Sequence, residues 1–378
     1  MELDLGNPKD ILRIRGAKQD KLLIGPKWVS IGITKRCNIN CRYCLMTPFR
    51  DIIRKRDKSG AQDMDFAHFR EIIDDCRQLG VEQITLDGGE PFLHPEISKF
   101  INYADQCGLN IVINTNGTFD NKALESLKNV SVVNFNLSAT NSKDYRKLQG
   151  AKENQFNRVL NNIRCAAKFK KNNGKNPFIN IVFVINKYNF RDFKNIFGFA
   201  KSAGADGILF KIMRFNTNTK ELAITSSDVR ILKNDIKEIA AGAGHKMIKS
   251  NIKDLCEFLR VADFKCVFEE IDFNGMYSGD FYFKRKMKNG FKCYFSWFFA
   301  DIEVTGDVFL CCARRSIPAI GNIYEKRFKD LWGSAKAGIA RSDMKKNVDI
   351  GKKKWKECAY CSNIELSENL EAFIENTA

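Results

Sequence analysis

Residues 28–44 read Trp-Val-Ser-Ile-Gly-Ile-Thr-Lys-Arg-Cys-Asn-Ile-Asn-Cys-Arg-Tyr-Cys. Val29–Ile33 is an apolar, β-branched run and is expected to form a strand. The polar loop behind it carries Cys37, Cys41 and Cys44. Outward from this stretch, Phe66, Phe69, Ile73 and Cys76 fall at helical spacing, with Ile72 filling the same face. Gln83–Leu86 reads as a second strand. Ile97, Phe100, Ile101 and Ala104 mark a helix stopped near Gly108. Asn110–Asn114 is the third strand and Lys122–Lys128 a short helix. Strand Ser131–Leu137, helix Asn154–Lys171, strand Phe178–Ile185, helix Arg191–Ser202 and strand Gly207–Ile212 continue the alternation. Strands alternating with helices predict an α/β fold on a parallel sheet, curled into a partial barrel or open and doubly wound. Right-handed crossovers put the loops that follow the strands along one edge, where ligands of such folds collect. The cysteine loop belongs to that edge.

The chain has 378 residues, 44% of them apolar, enough for a large domain plus a small one. No apolar run approaches the roughly 20 residues of a membrane span. Met1 to Ile24 alternates charged and apolar groups without a signal-peptide core, so a cytoplasmic protein is expected. The net charge of +17 comes from a lysine-rich sequence with no dense basic block interleaved with aromatics. Nucleic acid is therefore not the expected partner, and an acidic peptide or a phosphorylated small molecule suits the charge as well. The 13 cysteines point to metal or catalysis in a reducing compartment rather than to disulfides. Organisation is expected as an extension over 1–25, a core over 26–215, a helical connection over 216–250 and a small Phe- and Cys-rich domain over 251–378, with a hairpin turn at Thr305-Gly306-Asp307.

Three thiolates on one short loop can wrap one face of a metal centre. An iron–sulfur cubane is usually closed by four thiolates, so three leave one iron open. Zinc normally takes a second local pair, which is absent near this loop, and buried structural cysteines are the other alternative. The pattern Cys37-x-x-x-Cys41-x-x-Cys44, with Tyr43 before the last cysteine and a strand ahead of it, resembles the signature of the radical SAM superfamily. That resemblance covers about residues 28–213. It implies a partial (β/α)6 barrel in which the open iron chelates the amino and carboxylate groups of S-adenosylmethionine. Electron transfer then cleaves the sulfonium, and the 5′-deoxyadenosyl radical abstracts hydrogen from a substrate. Asp87-Gly88-Gly89-Glu90-Pro91 after the second strand matches the family's Gly-Gly-Glu-Pro motif, with Glu90 placed to hold the ammonium group. Thr115-Asn116-Gly117 ends the third strand as the family's Thr-Asn-Gly does. Asn136-Leu137-Ser138-Ala139 departs from the family's Ser-Leu-Asp-Gly, yet Asn136 and Ser138 stay polar and suit the cofactor's carboxylate or ribose. His94 reads as structural, and Cys76 and Cys107 as core.

Further on, Cys293, Cys311 and the Cys358-x-x-Cys361 pair supply four thiols from separated segments, for which zinc and iron–sulfur are equally open on spacing. Cys311 lies five residues after Gly306, and Gly321-Asn322-Ile323 and Leu331-Trp332 precede the pair. This order resembles the SPASM or shorter twitch extension of radical SAM enzymes and implies one auxiliary [4Fe–4S] cluster. Cys312 is an alternative to Cys311. Cys256 and Cys266 belong to neither set and are candidate hydrogen donors to a substrate radical.

The resemblance implies an enzyme acting on a peptide or a small molecule such as a sugar or cofactor precursor, served by an electron donor such as flavodoxin or ferredoxin. Net oxidation is favoured over epimerisation with a cysteine donor, because four thiolates on the auxiliary cluster leave no open iron. The rival of another class is a zinc-stabilised nucleic-acid-binding protein.

Overall fold

The computed structural model describes residues 6–44, 62–173, 177–212, 221–241, 249–250, 292–311, 318–346 and 370–371. Six parallel strands form its centre: β1 (Trp28–Thr34), β2 (Gln83–Gly88), β3 (Asn110–Thr115), β4 (Val132–Asn136), β5 (Phe178–Ile185) and β6 (Gly207–Ile212). They lie side by side in chain order, as repeated βα units produce. This is the partial barrel expected. A two-residue β7 (Lys249–Ser250) continues it beyond β6.

Each strand separates two environments by alternation. Ile111 and Ile113 of β3, Val133 and Phe135 of β4, and Ile179, Ile181 and Phe183 of β5 are fully buried in the main core. Against that core pack α2 (Phe66–Gln78), α3 (Ile97–Gln106), α4 (Ser142–Gln149), α5 (Gln155–Asn173), α6 (Asn195–Ala203) and α7 (Ser226–Ala241). Phe69 and Phe100 stack at 4.1 Å where α2 meets α3. Burying a side chain of this size contributes about 1.5–3 kcal/mol. The opposite strand face carries Asn114, Asn134 and Asn136, all half-buried, and Asn180.

The helix expected over Lys122–Lys128 is a 3₁₀ stretch, Asn121–Asn129. Before β1 lies α1 (Pro8–Gln19), started by Asn7, whose side chain accepts from Lys9 N, and by proline in the first turn. Arg13 of α1 is buried and donates to Asp10, to Glu82 and to the carbonyls of Gly25 and Gly80, which seats the helix on the core.

Described residues within 292–311 and 318–346 continue the same sheet. β8 (Phe299–Ile302) runs parallel to β1, from Trp28↔Phe299 to Ile31↔Ile302. β9 (Asp307–Phe309) returns antiparallel through the expected turn, with Gly306 at φ +87°, and β10 (Gly321–Asn322) closes the edge. The boundary expected near residue 250 is thus bridged by a hydrogen-bonded ladder. Helices α8 (Phe328–Trp332) and α9 (Ala335–Lys346) follow. Among the described residues no helix is long and apolar enough to cross a membrane.

Candidate active site

The cysteine loop leaves β1 at the edge where the strands end and is held from two sides. On one side, Gly89 N donates to Thr34 O at 2.8 Å and Glu90 N to Arg36 O at 2.7 Å. A Cβ on Gly88 would sit 2.4 Å from Thr34 O, and one on Gly89 2.1 Å from Arg36 O. The glycine pair is therefore required where two stretches of chain meet. On the other side, Asn40 N and Arg42 N donate to Gln149 O and Leu148 O at the end of α4, at 3.2 and 2.9 Å. Gly150, at φ +57°, lets Asn40 O come close. Cys44 N closes a turn onto Cys41 O at 3.1 Å.

Cys37 is exposed on this loop, and Cys41 and Cys44 are half-buried. Burial, then the neighbouring Cys44 and Cys37, push the Cys41 thiol well above its ordinary range. Binding to iron as thiolates would displace such protons. Among the described residues no three metal-binding side chains converge on a single ion. A cubane takes one thiolate per iron and does not ask for that convergence. The donor set, all sulfur on one short loop, fits an iron–sulfur cluster with an open iron.

Glu90 is fully buried, and its carboxylate accepts from Thr115 Oγ1 at 2.7 Å, Asn116 N at 2.6 Å and Phe92 N at 3.1 Å. Burial pushes its pKa up to about 7 in spite of these donors. The carboxylate expected to hold an ammonium group thus also ties the end of β3 to the turn begun by Pro91. Asn116 extends the network: its Nδ2 donates to Asn38 Oδ1 at 2.9 Å and lies 3.9 Å from Cys37 Sγ. Asn116 therefore helps orient the loop that bears the thiols.

Tyr43 is buried, with its hydroxyl 2.9 Å from Ser138 Oγ and 3.4 Å from Asn136 Oδ1. Ser138 Oγ also accepts from Val184 N at 3.0 Å, and Ser138 N donates to Gln149 Oε1 at 3.1 Å. These residues anchor the loop to β4. Gln149, which no motif singled out, spans Ser138 N and Asn136 O with one buried amide. Also unforeseen is a row across adjacent strands: Asn180 Nδ2 donates to Asn134 Oδ1 at 3.0 Å, Asn134 Nδ2 to Asn114 Oδ1 at 2.9 Å, and Asn114 Nδ2 to Asp87 Oδ2 at 3.3 Å. Asparagine is depleted in strands, so its recurrence at matched positions of three strands was the available signal. His94 is buried, hydrogen-bonded to Met64 O and to Glu96 N, and Cys76 lies in the core.

In the second cysteine group, Cys293 and Cys311 are both buried on the two flanks of the β8–β9 hairpin, and Cys293 N donates to Met344 O at 3.0 Å. Cys358, Cys361, the alternative Cys312 and the donor candidates Cys256 and Cys266 lie outside the described residues.

Comparison with known proteins decides the family. Residues 31–200 match the radical SAM superfamily model, and residues 293–362 match an iron–sulfur cluster-binding domain, SPASM. The chain belongs to the radical SAM superfamily. Its cofactors are accordingly S-adenosylmethionine, the [4Fe–4S] cluster that binds it and an auxiliary iron–sulfur cluster. This radical SAM chain is 24% identical over 320 residues to the AdoMet-dependent heme synthase of Methanosarcina barkeri, covering 82% of this chain and 83% of that one. It is 27% identical over 220 residues to the GTP 3',8-cyclase of Campylobacter fetus, covering 56% of this chain and 65%, just under two thirds, of the cyclase. Among solved structures, Streptococcus suis SuiB bound to precursor peptide SuiA superposes with TM-score 0.61 at 16% identity, over 90% of this chain and 74% of SuiB. A structure of anSMEcpe with bound AdoMet gives TM-score 0.59 at 16% identity, over 90% of this chain and 88% of that one. These likenesses establish the fold.

Proposed function

We propose that this radical SAM enzyme removes a hydrogen atom from a polar substrate, a peptide or a hydroxylated small molecule such as a sugar or cofactor precursor, with net oxidation as the outcome. In this reading Cys37, Cys41 and Cys44 hold the cluster that binds S-adenosylmethionine. Gly88, Gly89, Glu90, Thr115, Asn116, Asn136 and Ser138 shape the cofactor pocket, and Cys293, Cys311, Cys358 and Cys361 hold the auxiliary cluster. When bound, the cluster and S-adenosylmethionine supply the 5′-deoxyadenosyl radical. The chain's own residues do the rest. Gly88-Gly89-Glu90 and Leu148-Gln149 fix the thiol loop over the strand ends, and the row Asp87, Asn114, Asn134 and Asn180 offers a hydrogen-bonding face to the substrate. A flavodoxin or ferredoxin is the proposed electron donor.

The carrying observation is the three-thiol loop clamped between two elements at the ligand edge of the sheet, beside a polar strand face. Anaerobically purified protein should contain iron and acid-labile sulfide, not zinc, and release 5′-deoxyadenosine from S-adenosylmethionine under reduction. The triple change Cys37→Ala, Cys41→Ala, Cys44→Ala should lose one cluster's iron, keep the auxiliary cluster and make no 5′-deoxyadenosine. Formation of 5′-deoxyadenosine above background by that variant would overturn the assignment.

A further inference from the structure

Tyr145 lies at the turn of α4 that faces the thiol loop. It stands three and four residues before Leu148 and Gln149, whose carbonyls accept Arg42 N and Asn40 N, so the three share one side of the helix. Tyr145 is fully buried and packs edge-tilted on Phe156 at 5.5 Å. Phenylalanine would fill this space equally well, so packing leaves the hydroxyl unexplained. That hydroxyl is buried and meets no hydrogen-bond partner among the described residues. Buried tyrosine hydroxyls normally find one.

The surroundings narrow what the partner can be. Burial holds the Tyr145 hydroxyl in its protonated, donor form, and the ionisable groups close enough to add to this are Cys41, then Glu90 and Cys37. The Glu90 carboxylate already accepts from Thr115, Asn116 and Phe92, and the nearby Ser138 Oγ already accepts from Tyr43 and Val184 N. Tyr43, the aromatic inside the cysteine motif, is thus occupied elsewhere. Cys41 stands first among these groups, and its sulfur sits on the loop that the carbonyls of Leu148 and Gln149 hold from α4.

We propose that the Tyr145 hydroxyl donates a hydrogen bond to sulfur at the N-terminal cluster, on its Cys41 side, and thereby raises that cluster's reduction potential. The inference rests on the assignment of Cys37, Cys41 and Cys44 as cluster ligands. Reduction adds negative charge to the cluster, and a donor fixed in a dry site stabilises the reduced form more than the oxidised one. Tyr145 is a positioning residue in this role, acting through the sulfur it bonds.

The test compares wild type and Tyr145→Phe by redox titration, following the electron paramagnetic resonance signal that changes when S-adenosylmethionine is added. Both proteins should hold the same iron and sulfide. The variant's midpoint should move to lower potential by a tenfold change in the reduction equilibrium, about 59 mV for one electron. An unchanged midpoint with full iron overturns the inference and leaves the ligand assignment standing; wild type without an N-terminal cluster defeats the assignment itself. Site-specific 3-fluorotyrosine at position 145 keeps the ring and hydroxyl and makes the hydroxyl a stronger donor. It should move the midpoint to higher potential, and a wild-type midpoint there overturns the inference even if Tyr145→Phe loses its cluster.

Discussion

Glu90 is where residue chemistry is most sharply constrained. Three donors point at one buried carboxylate, so an amide in its place must turn an N–H toward one of them. Glu90→Gln should destabilise the protein by about 1–3 kcal/mol, read from urea unfolding. The pH dependence has a definite sign. A carboxyl raised from 4.5 to about 7 holds its proton longer in the folded state. Its contribution to stability is complete below about 4.5 and is lost as pH rises through about 7. The gap between wild type and Glu90→Gln should therefore widen toward acid across that window, and a gap that narrows would contradict the burial argument. Glu90→Ala should weaken S-adenosylmethionine binding about ten- to a hundredfold if a charge-assisted bond of about 1.5–3 kcal/mol is lost, measured calorimetrically on iron-replete protein. Undiminished affinity would leave Glu90 with its strand-end role alone.

At the scale of elements, the cysteine loop depends on two neighbours. A methyl group on Gly89 would meet Arg36 O at 2.1 Å, and both are backbone, so neither can swing away. Gly89→Ala should displace the start of the loop and lower cluster iron while the helices, followed by circular dichroism, remain. α4 is the second neighbour. Gln149→Leu would leave Ser138 N and Asn136 O unpaired, each a buried group costing about 1–3 kcal/mol. The expected result is a lower unfolding midpoint together with reduced iron loading. No helical pattern announces α4 in the sequence, because its eight residues, Ser142–Gln149, bury only Tyr145, Leu148 and Gln149, too little for a 3.6-residue period to declare itself. Its signals were local: Asn141 accepting from Asp144 N, and Gly150 in the left-handed conformation.

Across the whole molecule, the described C-terminal residues are joined to the core by more than the β1–β8 ladder. Asp75 of α2 is fully buried and accepts from Arg327 Nη2 at 2.7 Å, Arg327 Nε at 3.1 Å and Lys329 N at 3.2 Å. Arg327 is itself more than one third exposed, so solvent screens the pair and Arg327→Ala should cost toward the low end of about 1.5–3 kcal/mol. Asp75→Ala would in turn strand the Lys329 amide and the Arg327 fork. A chain ending before residue 292 would leave the edge of β1 unpaired and uncover the core residues beneath Ile302 and Val308. Such a fragment should self-associate on size exclusion, because an open apolar edge strand invites pairing.

The alternation of six strands with helices, the position of the thiols at the end of β1 and the family resemblance are all legible in the amino-acid sequence. All of these are local: side-chain periodicity, β-branched runs and short motifs are written within one element or one loop. What those motifs touch depends on how the elements pack. Gly88-Gly89 meets the cysteine loop because β1 and β2 pair in parallel with both ends at one edge. Tyr43 reaches Ser138 across 95 positions, and Asn180, Asn134 and Asn114 align only through the strand register. β8 joins the core because the edge of β1 is open to it, a contact separated by more than two hundred residues that no local pattern records. Periodicity says which side of a strand is apolar, whereas register says which side chains become neighbours, and that is a property of the packed sheet.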